Sequence, residues 1–349
     1  MPKNPIVIGT VLAVLAAAAF GVTTPFIQRF GHGLGPFATA SLLYLGAAIG
    51  ALPLPRPRSD PSEAAIRLRH LPRLMMVALF GAAVAPSLFA WGLQRVPAST
   101  GSLLLNGEAL FTVGLAALMY REHVGRRIAL AALLMSAGGV VTVCGASLNA
   151  AGGLLGAIAI VAAVLAWALD NVLTRPLADL DAAAVVRAKA LIGAFLTSAI
   201  AVLHGEPLPY WAETTGLLVC GAVGYGISLR LYLLAQRRIG AGRTGSVFAV
   251  APFLGVGAAA LLGDRSVNWI SALAAALFAA GIVLHLTERH GHRHAHGALT
   301  HDHSHRHDDG HHDHAHDVYP DGAHAHPHDH VPTEHAHPHG PDSHHRHGH

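Results

Sequence analysis

Charge is scarce in this chain of 349 residues. Only 12% of its side chains are Asp, Glu, Lys or Arg, about half the share of a soluble globular domain. The scarcity is uneven. Residues 287–349 carry 4 Arg and 10 acids, so the preceding 286 residues hold only 29 charged side chains, clustered between long apolar runs. Cysteine is nearly absent too: Cys144 and Cys220 each sit inside an apolar run and read as small buried hydrophobes. These shortages exclude a cytosolic enzyme and a secreted disulfide scaffold. Enzyme signatures are also missing, with no His-Glu-x-x-His zinc motif, no phosphate-binding Gly-Lys-Ser/Thr loop and no nucleophile elbow.

What is present falls into two regimes. The whole chain is 52% apolar with a mean hydropathy of +0.44, but the body is apolar sequence that needs lipid and the tail is polar and cannot form a core. The body is basic and the tail acidic when His is neutral. Basic residues between apolar spans are what membrane orientation requires, so the pI near 9.1 is not read as a nucleic-acid signal.

A bilayer core takes about 20 apolar residues of helix. Ten runs of that kind are expected: Ile6–Phe26, Pro36–Leu54, Leu74–Leu93, Ser99–Tyr120, Ile128–Leu148, Gly153–Leu173, Ala188–Leu203, Thr215–Ala235, Thr244–Leu262 and Val267–Leu286. With the N-terminus in the cytoplasm, 19 Lys and Arg fall on the inner side and only Arg29, Arg95 and Arg265 outside, with Arg230 within a span. The expected location is therefore a bacterial-type inner membrane, multi-pass, with both termini and the tail cytoplasmic.

The body also repeats. Gln94-Arg95 with Thr100-Gly101-Ser102 recurs as Gln236-Arg237 with Thr244-Gly245-Ser246, and Ala137-Gly-Gly-Val-Val is echoed by Ala280-Gly-Ile-Val-Leu, an offset of 142 to 144 residues. Five helices per half is an odd number, so the second copy is inverted, and the loop charges agree. Three segments follow: residues 1–148 and 149–286 as five-helix repeats, and 287–349 as a disordered His-rich tail.

The stretch Leu104-Leu-Asn-Gly-Glu-Ala-Leu-Phe, then Tyr120-Arg-Glu-His-Val-Gly, with acidic turns at Glu122 and Asp264, resembles the drug/metabolite transporter superfamily, specifically its EamA-type members. The resemblance covers roughly residues 6–286. It implies an all-α membrane protein of ten helices in two inverted repeats that moves a solute by alternating access. It also implies that helices 1–4 and 6–9 line the path, while helices 5 and 10 lie at the periphery or a homodimer contact.

Polar groups inside the spans need a reason, since an ionised side chain at mid-membrane costs about 2.5–3.5 kcal/mol on insertion scales. Glu108 is the clearest. Burial disfavours its charged form, which suits a group that loads and releases a proton or cation in each cycle. Asn106 and Thr112 flank it, and the repeat places the helix-breaking Pro252 opposite it in the second half. Trp167, Asp170, Asn171 and Thr174 make a polar stripe near the cytoplasmic end of the sixth span, and Arg230 shares the depth of Asp170, so an ion pair between these two is expected. Tyr44, Tyr225 and Tyr232 could contribute path-lining hydroxyls, though ordinary packing is the better reading of each.

In the tail, 23 of the 28 His alternate with Asp, Ala, Arg, Gly and Pro. Candidate metal ligands are His301, His303, His305, His307, His311, His312, His314, His316, His324, His326, His328, His330, His335, His337 and His339. Neutral imidazole suits Ni, Zn, Co and Cu, and a chain without fixed geometry should hold several ions weakly. No cofactor is required. The cargo is then a small organic molecule with a regulatory tail, or a divalent metal (Ni, Co, Zn) with the tail as sensor or delivery segment. A membrane-anchored metal buffer without transport is the remaining reading. No nucleic-acid partner is expected.

Overall fold

The computed structural model describes residues 5–51, 66–120, 125–149, 152–177, 180, 182–239 and 241–287, and the tail backbone at 291–296, 299–305, 324–330 and 333–338. The body is all-helical. Its elements are α1 (Pro5–Gly31), α2 (Pro36–Ala51), α3 (Leu68–Leu93), α4 (Ala98–Tyr120), α5 (Arg126–Asn149), α6 (Gly153–Thr174), α7 (Ala182–Leu203), α8 (Trp211–Gln236), the broken helix α9 (Ala241–Phe248 and Ala251–Leu261) and α10 (Trp269–Leu286). Seven of the described helices are long and apolar enough to cross a membrane, and Pro36–Ala51, Ala251–Leu261 and Trp269–His285 are shorter apolar helices. Their outward faces carry Leu, Ile, Val and Phe, such as Leu133, Leu155, Phe195 and Val283. That is the surface of a chain solvated by hydrocarbon rather than water.

Two devices interrupt the helices, and each occurs twice. α3 carries a π-helical turn at Leu79–Val84 and α8 another at Gly221–Ile227. α4 breaks between Ala98–Leu104 and Gly107–Tyr120, where Asn106 Nδ2 donates to the Leu103 carbonyl at 3.1 Å. α9 breaks between Phe248 and Ala251, with Pro252 buried in the first turn of its second half. The sequence reading expected a break at Pro252 but a continuous helix at Asn106. The breaks arise because Asn106 competes for a backbone carbonyl and Pro252 lacks a backbone N–H.

Packing interleaves the two halves of the chain. α1 lies on α8 and α9, α6 on α3 and α4, α2 on α7, and α5 on α10. Small residues make the close crossings. A Cβ at Gly221 would collide with the Leu43 carbonyl, and one at Gly255 would lie 2.6 Å from Ser102 Oγ, so backbones meet there without intervening side chains.

One end of the bundle is latched by polar side chains. Gln28 Nε2 donates to the carbonyls of Leu93 and Val96, and Gln94 Nε2 returns bonds to Gly31 and Leu34 at 3.1 and 2.9 Å. Glu206 accepts from the backbone N of Phe37 and Ala38 at the start of α2. Asp264 accepts from Ser99 N at the start of α4, at 3.0 Å. Both acids satisfy orphan N–H groups at the positive end of a helix.

The described backbone of the tail is extended: β1 (Gly291–His296) pairs antiparallel with β4 (Thr333–Pro338), and β2 (Leu299–His305) with β3 (His324–His330). The His-x-His alternation has the period of two that a pleated strand accommodates. The side chains of the candidate tail ligands, His301 to His339, lie outside the described residues.

Candidate functional site

Glu108 stands in the first turn of the second half of α4, directly after the break. The positive end of that half-helix favours a carboxylate there. Oε1 of Glu108 accepts from Asn171 Nδ2 at 2.7 Å. Glu108 keeps part of its surface accessible and Asn171 is exposed, so the pair is not sealed among packed side chains. Tyr44, Tyr225 and Tyr232 are within electrostatic reach of the Glu108 carboxylate.

Aromatic rings form one wall. Phe20 meets Tyr225 edge-on at 5.8 Å and Phe248 at 5.6 Å; Tyr225 meets Tyr44 at 5.6 Å, and Tyr232 meets Phe248 at 5.2 Å. These five rings come from α1, α2, α8 and α9, and each contact is in the range of a favourable aromatic pair. The π-turn of α8 carries Tyr225, and the break of α9 follows Phe248, so both irregularities aim rings at this wall.

Behind Glu108 lies a second polar group. Asp170 is buried, 4% exposed, and forms an ion pair with Lys189 of α7, which is 20% exposed; Thr174 Oγ1 also donates to Asp170 at 3.3 Å. The π-turn in α3 frees the Gly81 carbonyl, which accepts from Tyr44 OH and from Trp167 Nε1 at 3.0 Å. Any Cβ at position 81 would strike Asp170 and Lys189. Glycine is needed there because an ion pair occupies the place of a side chain.

The sequence-derived residues therefore divide. Glu108 pairs with Asn171, while Asp170 and Trp167 belong to the second polar group around Gly81. The expected Asp170–Arg230 pair is replaced by Asp170–Lys189, because α7 rather than α8 packs against this part of α3. Asn106 is buried but spends its amide on its own helix break, and Thr112 keeps a buried hydroxyl with no hydrogen-bond partner among the described residues. Pro252 is buried at the start of the half-helix that crosses α1 and the first half of α4. Reading by single helices missed Lys189, Gly81 and the tyrosine wall. A lone Lys at the start of an apolar span was the available signal for Lys189. Among the described residues, no three His, Cys, Asp or Glu gather as a metal site.

The sequence pattern of the EamA-like transporter family matches the chain twice, at residues 7–144 and 154–287. The chain belongs to the EamA-like transporter family. It is 30% identical over 211 residues to a protein called an uncharacterized transporter from Methanothermobacter thermautotrophicus (strain ATCC 29096 / DSM 1053 / JCM 10044 / NBRC 100330 / Delta H), an alignment spanning 57% of this chain and 59% of that relative. A solved crystal structure superposes with a TM-score of 0.58 at 19% identity, covering 82% of this chain and 96% of the other, a likeness of fold.

Proposed function

We propose that the protein is a secondary transporter that moves a small organic solute bearing a cationic group across the inner membrane by alternating access between two inverted five-helix halves. Ten helices, α1 to α10, would cross the bilayer, the shorter ones included. Three observations support the repeat. The family pattern matches twice, and the π-turns and helix breaks recur at the spacing of the sequence repeat. The interhelical packing also keeps its form when the halves are exchanged. The excess of basic residues on one side supports cytoplasmic termini.

The observation that carries the cargo reading is the partly accessible Glu108–Asn171 pair opposite the aromatic wall. A carboxylate facing tyrosine and phenylalanine rings complements an ammonium on an apolar body, through charge and cation–π attraction. The neighbouring acid, Asp170, is already neutralised by Lys189, which leaves Glu108 as the uncompensated charge. Proton exchange at Glu108 would couple the cycle. The Gln28, Gln94, Glu206 and Asp264 bonds hold one end shut, so the site would open toward the basic end.

The test uses three probes that share a ring and differ in charge: phenylethylamine, phenylalanine and phenylacetate, with nickel chloride as the metal probe. Uptake into vesicles containing the intact protein should favour the amines and vanish in Glu108→Gln. Uptake of phenylacetate alone, or of nickel alone, would overturn the cationic organic reading. The His-rich tail would bind transition metals as a regulatory buffer or sensor; a metal as cargo has less support, since the described body gathers no ligand set.

A further inference from the structure

A cavity of about 410 Å³ lies away from Glu108, where the start of α3 meets the end of α6. Its polar rim is Arg69, His70 and Arg73, and its apolar lining includes Met76, Leu173 and Leu177. Arg69 and Arg73 are four residues apart on one helical face, so their guanidinium groups serve the same space. Both are exposed, and among the described residues neither is paired with a carboxylate. Arg69 instead has its Nε 3.0 Å from His70 Nε2, while the Arg67 backbone N–H points at His70 Nδ1 from 3.1 Å. A neutral imidazole accepts at only one nitrogen, so the ring cannot satisfy both donors. The rim thus presents more N–H donors than acceptors.

The surroundings are those of a membrane boundary. Leu68 is 87% exposed, and Leu71, Met75 and Met76 are also exposed, interleaved with the arginines. Below them Leu74, Val77, Leu177 and Leu180 form a closed apolar cluster against which Leu173 packs. A cationic rim above apolar walls, at the point where two helices enter the apolar zone, matches one ligand chemistry: a phosphate carrying an acyl chain. Free phosphate would use the rim and leave the walls bare. A neutral lipid would use the walls and leave two arginines uncompensated.

We infer that this cavity is a binding site for an anionic phospholipid, its phosphate held by Arg69 and Arg73 and its acyl chain lying along Met76, Leu173 and Leu177. Occupancy would brace the α3–α6 junction, and α6 carries Asn171 and Asp170 six and seven residues before Leu177. The charge logic follows that of basic pockets between membrane helices, where each basic residue contributes about 1 kcal/mol near an anionic surface, roughly fivefold in affinity.

The experiment counts lipid adducts on the full chain in detergent by native mass spectrometry. Phosphatidylglycerol, phosphatidylcholine and sn-glycerol 3-phosphate are titrated separately. Three variants are compared: the double substitution Arg69→Gln/Arg73→Gln, the cavity-filling Met76→Trp, which keeps both charges, and Arg126→Gln/Arg127→Gln at the start of α5 as a charge-matched control. The expected result is saturable phosphatidylglycerol binding, weakened roughly 30-fold by the Arg69/Arg73 pair, weakened also by Met76→Trp and unchanged in the control. Equal loss in the control overturns the site in favour of general surface charge. Equal binding of phosphatidylcholine overturns the phosphate contact. Full competition by glycerol phosphate overturns the acyl-chain contact. If the double variant fails to fold, retention of the adduct by Met76→Trp alone overturns the proposal, and its loss supports it.

Discussion

Asn171 of α6 donates its side-chain amide to the Glu108 carboxylate, joining α6 to the second half of α4 across 63 positions of sequence. The bond fixes the partly accessible carboxylate, with one oxygen committed to Asn171. In transport terms Asn171 positions and Glu108 binds.

Removing the two groups should therefore have different consequences. Glu108→Gln is expected to abolish amine uptake while the protein still folds, because the amide keeps the shape and the hydrogen bonding. Asn171→Ala deletes a bond to a charged group, worth about 1.5–3 kcal/mol. It should weaken amine affinity roughly 10- to 100-fold with smaller loss of maximal rate. Initial rates in vesicles over a range of phenylethylamine concentrations separate the two. Equal, complete loss in both variants would mean that Asn171 contacts the cargo itself.

The Asp170–Lys189 pair predicts a stability cycle. Breaking a buried ion pair by removing one partner costs about 3–5 kcal/mol, because the other charge is left uncompensated; with Lys189 20% exposed, the low end applies. Asp170→Asn and Lys189→Met should each lower the thermal midpoint in detergent, and the double variant should recover part of the loss. Gly81→Ala should resemble the single variants, since its methyl group displaces the pair. Additive losses in the double variant would show that the two side chains do not couple.

These networks mark the limit of what the sequence carried. Hydropathy placed the helices, because an apolar run of membrane length has few other fates, and Glu108 stood out as an acid where acids are costly. Partner choice was not legible. Arg230 was the partner expected for Asp170, and the packing of α7 on α3 brings Lys189 there instead. The tyrosine wall draws rings from four helices, and single-helix periodicity treats each ring as ordinary core. The break before Pro252 was legible as a proline, whereas the one at Asn106 depends on local competition for a backbone carbonyl, which residue counts do not capture.

Asp264 offers a pH test outside the membrane spans. Burial pushes its carboxyl up, but hydrogen bonds from the Ser266 hydroxyl and from the backbone N–H groups of Ser99 and Ser266 more than offset this and hold it below its ordinary value of 3.8. A depressed folded-state value means the unfolded chain takes up protons first as pH falls. The contribution is therefore fully present above the ordinary carboxylate range and is lost as pH drops through the folded-state value. Thermal midpoints of the protein and of Asp264→Asn should differ by a constant amount between pH 5 and 7, and the gap should close below about pH 4. A gap that persists undiminished into that range would show that the loop acts on α4 without the carboxylate charge.

The tail gives the last prediction, and it separates metal binding from transport. A chain truncated after Leu286 removes all 23 clustered His and leaves His32, His70, His123, His204 and His285. In a calorimetric titration with nickel chloride, the full chain should bind several ions, and the truncated chain should bind almost none, because the described body gathers no three ligands. Imidazole ligates only when deprotonated, so binding by the full chain should fall steeply between pH 7 and 5.5 as the ordinary His value near 6.5 is crossed. Phenylethylamine uptake should survive truncation, since the Glu108 site lies entirely within the body. If the truncated chain retains nickel binding, and Glu108→Gln then removes it, the carboxylate is a metal ligand and the cargo is inorganic. If truncation instead abolishes amine uptake without changing nickel binding to the body, the tail participates in the transport cycle itself.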